Sequence, residues 1–299
     1  MRNVLIGTLV IVAAPFMGGF LFGVDRRITA RMQRRMGPPL LQPFYDFLKL
    51  WGKERVSCNG LQTVSASLYL AAMALSLVML ATGQDLLALL FVLAVGSVAL
   101  ILGAFSVKSP YSQLGAQREV LSLLAYEPLL VLMVVATYQV VARAQGGVGS
   151  FLGSSVFALD RPLLLSLPLF WLTQTVVIAI KLHKSPFDIG ASHHAHQELV
   201  RGIYTEFSGR QLALIELAHW YEMVLLLGFV ALLWHTNAVV AALLALASLF
   251  ATIVLDNVTA RLTWRWMVRF AWTACLALAF ANLAALYVSP WLWPSGGPP

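Results

Sequence analysis

The most restrictive feature of the chain is a series of long apolar stretches that are almost free of charge. Eight stretches are near the length needed to cross about 30 Å of hydrocarbon, and they cover residues 3–24, 64–82, 86–107, 120–142, 162–180, 211–235, 237–255 and 270–289. Their only charged residues are Glu127, Glu216 and Glu222. The pattern predicts an all-α polytopic membrane bundle of about eight helices, with residues 1–299 forming a single transmembrane domain.

The low charge content excludes several classes of protein. Only 11% of the residues are charged and the mean hydropathy is +0.80, whereas soluble domains carry about 25% charged residues. A soluble, disordered, collagenous or disulfide-framed secreted chain is therefore excluded. The two cysteines, Cys58 and Cys275, cannot supply the four ligands that an iron–sulfur cluster takes. We therefore expect any redox centre on another chain, or else a haem.

Positive charge is concentrated in alternate loops. Of the 20 lysines and arginines, only Arg2, Arg143 and Arg161 fall outside the loops at about residues 25–63, 108–119, 181–210 and 256–269. Because short loops rich in lysine and arginine stay on the cytoplasmic side, we expect these loops to be cytoplasmic and both termini to lie outside. The chain is then a multi-pass protein of the inner (cytoplasmic) membrane. Its net charge of +7 reflects topology and contact with the lipid bilayer, and implies no nucleic-acid partner.

The first of these loops contains an amphipathic segment. Apolar residues recur there at helical spacing, namely Leu40, Leu41, Phe44, Phe47, Leu48 and Trp51. The opposite side carries Asp46, Lys49, Lys53 and Glu54, and Pro43 suits a first helical turn. The pattern predicts an interfacial helix, which serves as a membrane anchor, as a docking surface for a partner, or as both.

A short sequence echo occurs in the next two cytoplasmic loops. Lys108-Ser109-Pro110-Tyr111 follows the third stretch, and Lys184-Ser185-Pro186-Phe187 follows the fifth. Serine followed by proline is typical of a helix N-cap and its first residue. Each echo therefore predicts the start of a new helical piece.

The third cytoplasmic loop is rich in ionisable residues. It contains Asp188, His193, His194, His196, Glu198, Arg201 and Glu206. A zinc site would need a second ligand cluster at a suitable spacing, which this sequence lacks, so we expect no metal. Because histidine titrates near neutral pH, a proton-exchanging cluster is the favoured interpretation, and a solvated loop is the alternative.

Ionisable residues also occur deep in two of the stretches. Glu216, His219 and Glu222 cover roughly 120° of one helix face, and Glu127 lies within another stretch. Such residues must face the bundle interior or water, which leaves a hydrogen-bonded structural network, a proton or ion path, or a haem site. His219 and His235 are about 24 Å apart along one helix and cannot ligate a single haem. We favour the path.

Four groups of residues resemble one known family. The first group comprises Arg31, Gln33, Arg35, Gly37-Pro38, Leu41-Gln42-Pro43, Asp46, Lys49-Leu50 and Lys53-Glu54. The second comprises Gly115-Ala116-Gln117-Arg118 and Tyr126-Glu127, and the third Ser185-Pro186-Phe187-Asp188, Glu198-Leu199-Val200, Gly202 and Glu206-Phe207-Ser208-Gly209. The fourth, with Asp256, Ala260-Arg261 and Trp272, fits more loosely. Together they resemble the eight-helix subunit of respiratory complex I that joins its peripheral and membrane arms.

Two departures favour a particular branch of that family. The segment between Gly37-Pro38 and Leu41-Gln42-Pro43 is shorter than in complex I, and Ser192-His193-His194-Ala195-His196-Gln197 replaces an acidic run. In complex I these positions help to build the quinone chamber. The chain is more similar to the corresponding subunit of energy-converting, membrane-bound [NiFe] hydrogenases of the Ech type, or group 4.

The resemblance implies a non-redox subunit of a ferredoxin-linked hydrogenase complex. Its nickel–iron centre and iron–sulfur clusters would belong to the soluble large and small subunits, and its membrane partner would be an antiporter-like subunit. We expect no catalytic, metal-binding or cofactor-binding residue in this chain.

The same resemblance, combined with the loop and span patterns, selects two sets of residues. The predicted proton or ion path comprises Glu127, Glu198, Glu206, Glu216, His219 and Glu222. The predicted junction with the soluble arm comprises Arg35, Asp46, Arg118, Asp188, His193, His194, His196 and Arg201. The alternatives are a quinone-binding subunit of a complex I-like NADH dehydrogenase, a standalone secondary transporter and a purely structural anchor.

Overall fold

The computed structural model describes residues 2–54, 56, 59–187, 190 and 201–288, and the regular elements within these ranges are helical. The α-helices in chain order are α1 (Arg2–Met32), α2 (Gln42–Gly52), α3 (Gly60–Ala81), α4 (Leu86–Phe105), α5 (Pro110–Ala144), α6 (Gly153–Phe157), α7 (Leu163–Ser166), α8 (Pro168–Lys181), α9 (Gly209–Leu232), α10 (Ala238–Val258), α11 (Trp264–Phe270) and α12 (Leu276–Val288). A 3₁₀ turn covers Gly202–Tyr204, and a π-helical turn, Ala271–Cys275, joins α11 to α12. The predicted all-α membrane bundle is confirmed.

Seven of the eight predicted spans are long apolar helices, and the fifth is not. Within the described residues, seven helices are long and apolar enough to cross a membrane. The stretch predicted at 162–180 is instead split into α7 and the 14-residue α8, which is only about 21 Å long at about 1.5 Å per residue. The split follows from Pro168, which has no N–H to donate and restricts the backbone of Leu167 before it.

Two helices extend further into the predicted loops than hydropathy indicated. Helix α1 continues to Met32, so Asp25 and Arg26 lie on its last turns rather than in a loop. Helix α5 begins at Pro110, with Ser109 as its N-cap residue, as the first Ser-Pro echo predicts. The second echo differs: Ser185 and Pro186 form a turn with a cis peptide bond, and no helix begins in the described part of that loop, up to Phe187.

The predicted amphipathic helix is present as α2, and its apolar residues divide into two groups. Phe44 and Phe47 face the bundle, with their ring centroids 5.1 and 5.6 Å from the Trp220 ring on α9. Leu48 and Trp51 are exposed. One group therefore fixes α2 to the bundle, and the other remains available to lipid or to a partner.

Helix α9 is the centre of the bundle. It packs against α3, α1, α10 and α2, and it is the most enclosed of the seven long helices. Gly18 allows α1 to approach it closely, because a β-carbon there would lie 2.5 Å from the backbone oxygen of Trp220. Side chains on the middle of α9 therefore point into protein rather than lipid.

The structure brings the four predicted cytoplasmic loops together at one end of the bundle, called here the loop end. The Leu262 N–H donates to the Pro186 oxygen over 2.9 Å, and the Gln62 side chain donates to the Glu206 oxygen over 3.2 Å. At the opposite end, the Gly153 N–H donates to the Gln84 oxygen over 2.9 Å. The alternation of long and short loops therefore corresponds to two physical ends.

Candidate functional site

The most deeply buried charges of the described residues form an ion pair inside the bundle. Lys181, the last residue of α8, donates from Nζ to Oε1 of Glu222 on α9. The Tyr69 hydroxyl on α3 donates to Oε2 of the same carboxylate over 2.8 Å. The side chains of Lys181 and Glu222 are only 2% and 4% exposed. Both carboxylate oxygens thus have a donor, and each charge has an opposite charge beside it.

Two further helices complete the surroundings of this pair. The Lys181 ammonium lies 4.8 Å from the ring centroid of Tyr126 on α5. The Tyr126 hydroxyl is 3.2 Å from the Ser97 hydroxyl on α4. Five helices therefore each contribute one polar group, which provides the hydrogen bonds that buried polar atoms require.

A second acid–base pair lies beside the first. Nε2 of His183, two residues beyond α8, is 2.9 Å from Oε2 of Glu119 on α5. The His183 ring also makes an edge contact with the ring of Tyr204, at a centroid distance of 6.2 Å. The Tyr204 hydroxyl in turn lies 2.9 Å from Nε2 of His219 on α9.

These groups surround one small cavity. Its volume is about 10 Å³, which is at the lower limit for one water molecule. It is lined by Tyr69, Ser97, Leu100, Glu119, Lys181, His183, Tyr204 and Glu222. These residues, with Tyr126 and His219, are called here the inner cluster. The cluster can hold charge and exchange protons locally, but it has no room for a bound substrate.

The predicted path residues separate into different places. Glu222 and His219 belong to the inner cluster. Glu216, on the same helix, instead lines a separate cleft, and Glu127 is half-buried on α5 and does not line the cavity. Glu206 is also half-buried. Glu198 lies outside the described residues.

The separate cleft, called here the outer cleft, lies among α1, α2 and α9. Its volume is about 260 Å³. Its lining includes Phe22, Arg26, Asp46, Phe47, Lys49, Lys53, Arg201, Glu216 and Trp220. Asp46 accepts from Arg26 over 2.7 Å and from Gln42 over 2.9 Å. Asp46 and Arg201, both predicted junction residues, thus share one surface with Glu216.

The other predicted junction residues have varied positions. Arg35 is exposed at the loop end and donates to the Gln33 side chain. Arg118 is half-buried on α5, next to Glu119. Asp188, His193, His194 and His196 lie outside the described residues.

Five members of the inner cluster were missed by sequence reasoning: Tyr69, Glu119, Lys181, His183 and Tyr204. Glu119 and Lys181 each adjoin a predicted span, at 120–142 and 162–180. Hydropathy therefore assigned both to loop ends. An ionisable residue at the first position beyond an apolar stretch was the available signal. The tyrosines gave no comparable signal, since their rings suit a membrane helix without any special role.

Three charged residues join different elements at the loop end, and they are called here the loop clamp. Nζ of Lys184 lies 2.6 Å from Oδ2 of Asp25 on α1 and 3.3 Å from Oδ2 of Asp256 on α10. Asp256 also accepts from the Ser185 N–H over 2.9 Å. Burial by itself would lower the pKa of Lys184, but the Asp25 and Asp256 carboxylates outweigh it and raise that pKa above its ordinary value.

The described residues contain no group of three or more histidine, cysteine, aspartate or glutamate side chains that could hold a metal ion. Cys275 is a free, buried thiol, and Cys58 lies outside the described ranges. The geometry of the inner cluster therefore supports proton and charge chemistry among protein groups.

The sequence and fold match known membrane proteins along most of the chain. The family described as NADH dehydrogenase matches residues 4–287. A membrane component of the NADH-quinone oxidoreductase of Thermomicrobium roseum is 29% identical, over 94% of this chain and 91% of its own length. Hydrogenase-4 component C of Escherichia coli is 32% identical, over 64% of this chain and 62% of its own.

A solved structure shares the fold. A chain of an archaeal membrane-bound sulfane sulfur reductase, described as a respiratory membrane complex, superimposes with a TM-score of 0.81 at 24% identity, covering 96% of this chain and 100% of that one. The likeness extends the sequence match to the arrangement of the helices. The chain belongs to the NADH dehydrogenase family of complex I-like membrane subunits.

Proposed function

We propose that this chain is the coupling and anchoring subunit of a membrane-bound, ferredoxin-linked [NiFe] hydrogenase. In this role it holds the soluble large and small subunits at the loop end, which faces the cytoplasm, while both termini lie outside. It relays charge changes in that arm to an antiporter-like membrane partner. The observation that carries the proposal is the inner cluster, in which ionisable groups from α5, α8 and α9 meet inside an apolar bundle.

The burial of the inner cluster makes it suitable for coupling. Charges interact more strongly in a protein interior than in water, because less solvent screens them. A redox change or a movement at the loop end therefore alters the energy of the inner charges more than it alters that of exposed charges. Tyr204 and His183 both follow directly from loop-end segments and contact one another, so the loop end and the cluster are physically continuous.

The loop end supplies a surface for anchoring. Arg26, Lys49, Lys53 and Arg201 provide positive charge around the outer cleft, and the exposed Leu48 and Trp51 extend the apolar side of α2. A surface that combines basic and aromatic groups is suited to a protein partner at the membrane interface. Arg35 lies exposed at the same end.

The outer cleft favours a second candidate, a quinone-binding subunit of an NADH dehydrogenase. Its volume of about 260 Å³ is close to the lower limit of ordinary small-molecule pockets, about 300 Å³. Phe22, Phe47 and Trp220 offer apolar and aromatic contacts, and Asp46 and Arg201 offer polar ones. A quinone headgroup has the size and chemistry for such a site.

Purification of the native complex through a tag on this chain separates the two candidates. The hydrogenase proposal predicts copurified nickel and hydrogen evolution from reduced viologen, with no tightly bound quinone. Bound quinone together with quinone-dependent oxidation of NADH, and no nickel, would establish the second candidate instead. Ion flux by this chain alone in liposomes would favour a standalone transporter.

The coupling role needs a variant that remains folded. Lys181→Met combined with Glu222→Gln removes the two inner charges together and leaves neither charge buried alone. We expect the complex to keep its hydrogen chemistry and to lose ion translocation in sealed vesicles. Asp160→Asn, which changes an exposed carboxylate beyond α6, is the matched control and should pump normally. Unchanged translocation in the double variant would refute the role of the cluster.

A further inference from the structure

We propose that the proton-exchanging group of the inner cluster is the Glu119–His183 pair and not Glu222. The inference rests on the proposed coupling function and names the site at which the mobile proton is held. The observation behind it is that the cluster contains two acid–base pairs with different partners. Glu222 faces a lysine, whereas Glu119 faces a histidine.

Glu222 is held in its charged form by its surroundings. One oxygen accepts from Lys181 and the other from Tyr69. Adding a proton to this carboxylate would remove the counter-charge of an ammonium whose side chain is only 2% exposed. An isolated ammonium in such a place is costly, so this pair is a fixed element with no net charge.

The Glu119–His183 pair has more than one accessible state. Oε2 of Glu119 and Nε2 of His183 are 2.9 Å apart, and one proton can reside on either atom without changing the net charge. If that proton leaves, the pair has a charge of −1. Because an imidazole is stable with or without its second proton near neutral pH, this loss leaves no lone ammonium.

The groups around the pair do not fix its charge. Lys181 and Glu222 line the same cavity and balance one another. Tyr69 and Tyr204 also line it and are neutral at ordinary pH. His219 on α9 contacts both tyrosine rings, and Arg118 adjoins Glu119 on α5. A proton gained or lost by the pair therefore changes the net charge of the cluster.

The third loop reaches this pair through its backbone. A β-carbon on Gly190 would lie 2.5 Å from Oε2 of Glu119, so the main chain passes against the carboxylate. The Gly190 oxygen also accepts from the Ile203 N–H over 3.2 Å, next to Tyr204. A displacement of this loop by a docked arm would thus change the contacts of Glu119 and His183 directly. Proton occupancy of the pair then follows the state of the loop.

Infrared difference spectroscopy of the purified complex tests the assignment without turnover. Spectra recorded on raising the pH should show loss of a protonated carboxylic acid band or gain of a carboxylate band. We expect Glu119→Gln to abolish this signal and His183→Asn to shift its midpoint. The Lys181→Met/Glu222→Gln variant should retain the signal. Copurification of partner chains reports whether each variant has assembled.

Several outcomes would overturn the inference. A signal that survives Glu119→Gln, or disappears only in the double variant, assigns the proton elsewhere. Absence of any titrating carboxyl signal in the unaltered complex refutes it as well. If Glu119→Gln fails to assemble, the His183→Asn variant decides, because an unshifted midpoint contradicts pairing. A complex that lacks nickel would refute the hydrogenase proposal and leave the infrared result valid, so the two failures are distinguishable.

Discussion

Lys181 and Lys184 are three residues apart and occupy opposite kinds of site. Lys181 lies in the inner cluster with one carboxylate, and its side chain is 2% exposed. Lys184 lies in the loop clamp with two carboxylates, and its side chain is 14% exposed. The first is surrounded by five helices, while the second joins α1, α10 and the turn after α8.

The comparison shows how depth decides what an ion pair does. Inside the bundle the cost of removing charge from water is large, so the loss of either partner leaves a strongly unfavourable charge. At the loop end solvent remains close, and charge pairs there contribute less. The inner pair therefore constrains the charge of the cluster, and the clamp holds together the segments that lead to it.

The largest expected effect is on Glu222. Glu222→Gln leaves the Lys181 ammonium buried without its counter-charge, and we expect a loss of about 3–5 kcal/mol in the free energy of unfolding. Thermal melting in detergent with added lipid measures it. Adding Lys181→Met should recover most of the loss. Equal melting temperatures for the single and double variants would contradict the view that the pair is fixed.

The loop clamp should respond less, and with a defined pH dependence. Lys184→Met removes hydrogen bonds to two carboxylates, at a cost of about 1.5–3 kcal/mol. Because the pKa of Lys184 is raised in the folded state, its contribution is complete below the ordinary lysine pKa of about 10.4 and decreases as the pH rises through the higher folded-state value.

Melting temperatures measured from about pH 8 to about pH 11 test this sign. The difference between the unaltered protein and Lys184→Met should be constant at the lower end and narrow at the alkaline end. Asp256→Asn, which removes one of the two carboxylates, should give a smaller difference. A gap that widens with rising pH would contradict the assignment of Lys184 as the cation of the clamp.

Backbone contact between α5 and the 3₁₀ turn is expected to matter to a similar or smaller extent. A β-carbon at Gly115 would overlap the backbone of Gly202 and Ile203, so Gly115→Ala should cost about 1–3 kcal/mol. It should also move Tyr204 away from His219. Gly52→Ala is the matched control, since its added carbon meets no atom within 4 Å. Equal stability of the two variants would show that the turn adapts freely.

The smallest effect is expected at the outer cleft. Arg26 and Asp46 form an ion pair whose side chains are 44% and 43% exposed, and such pairs contribute about 0–1 kcal/mol. Asp46→Asn should therefore leave the melting temperature nearly unchanged. If the cleft contributes to docking, the same variant should reduce the yield of copurified soluble subunits. A large loss of stability would instead place Asp46 among the structural residues.

Much of the fold followed from the apolar pattern, but part of it depended on local chemistry that hydropathy does not capture. The stretches at 64–82 and 86–107 closely matched α3 and α4, because each run ends where polar residues begin. The stretch at 162–180 failed as one helix, because hydropathy gives no weight to the break at Pro168. The start of α5 was predicted by Ser109-Pro110 and missed by the apolar boundary at 120.

The candidate site was predictable only in part for a related reason. Glu222 and His219 stood out because charge or a titratable ring in oil requires a partner. That partner could not be named, since Lys181 is distant in sequence and lies at the edge of an apolar run. Glu216, three residues before His219, was expected in the same network, but it lines the outer cleft.

The sequence alone determined the class of the protein, because a membrane tolerates only long apolar helices with few charges, and such helices are legible one residue at a time. The pairing of Lys181 with Glu222, of His183 with Glu119, and of Lys184 with Asp25 and Asp256 was decided by the tertiary structure. Which cation meets which carboxylate depends on helix rotation and depth, and these are set by contacts such as Gly18 against Trp220 that join residues far apart in the chain.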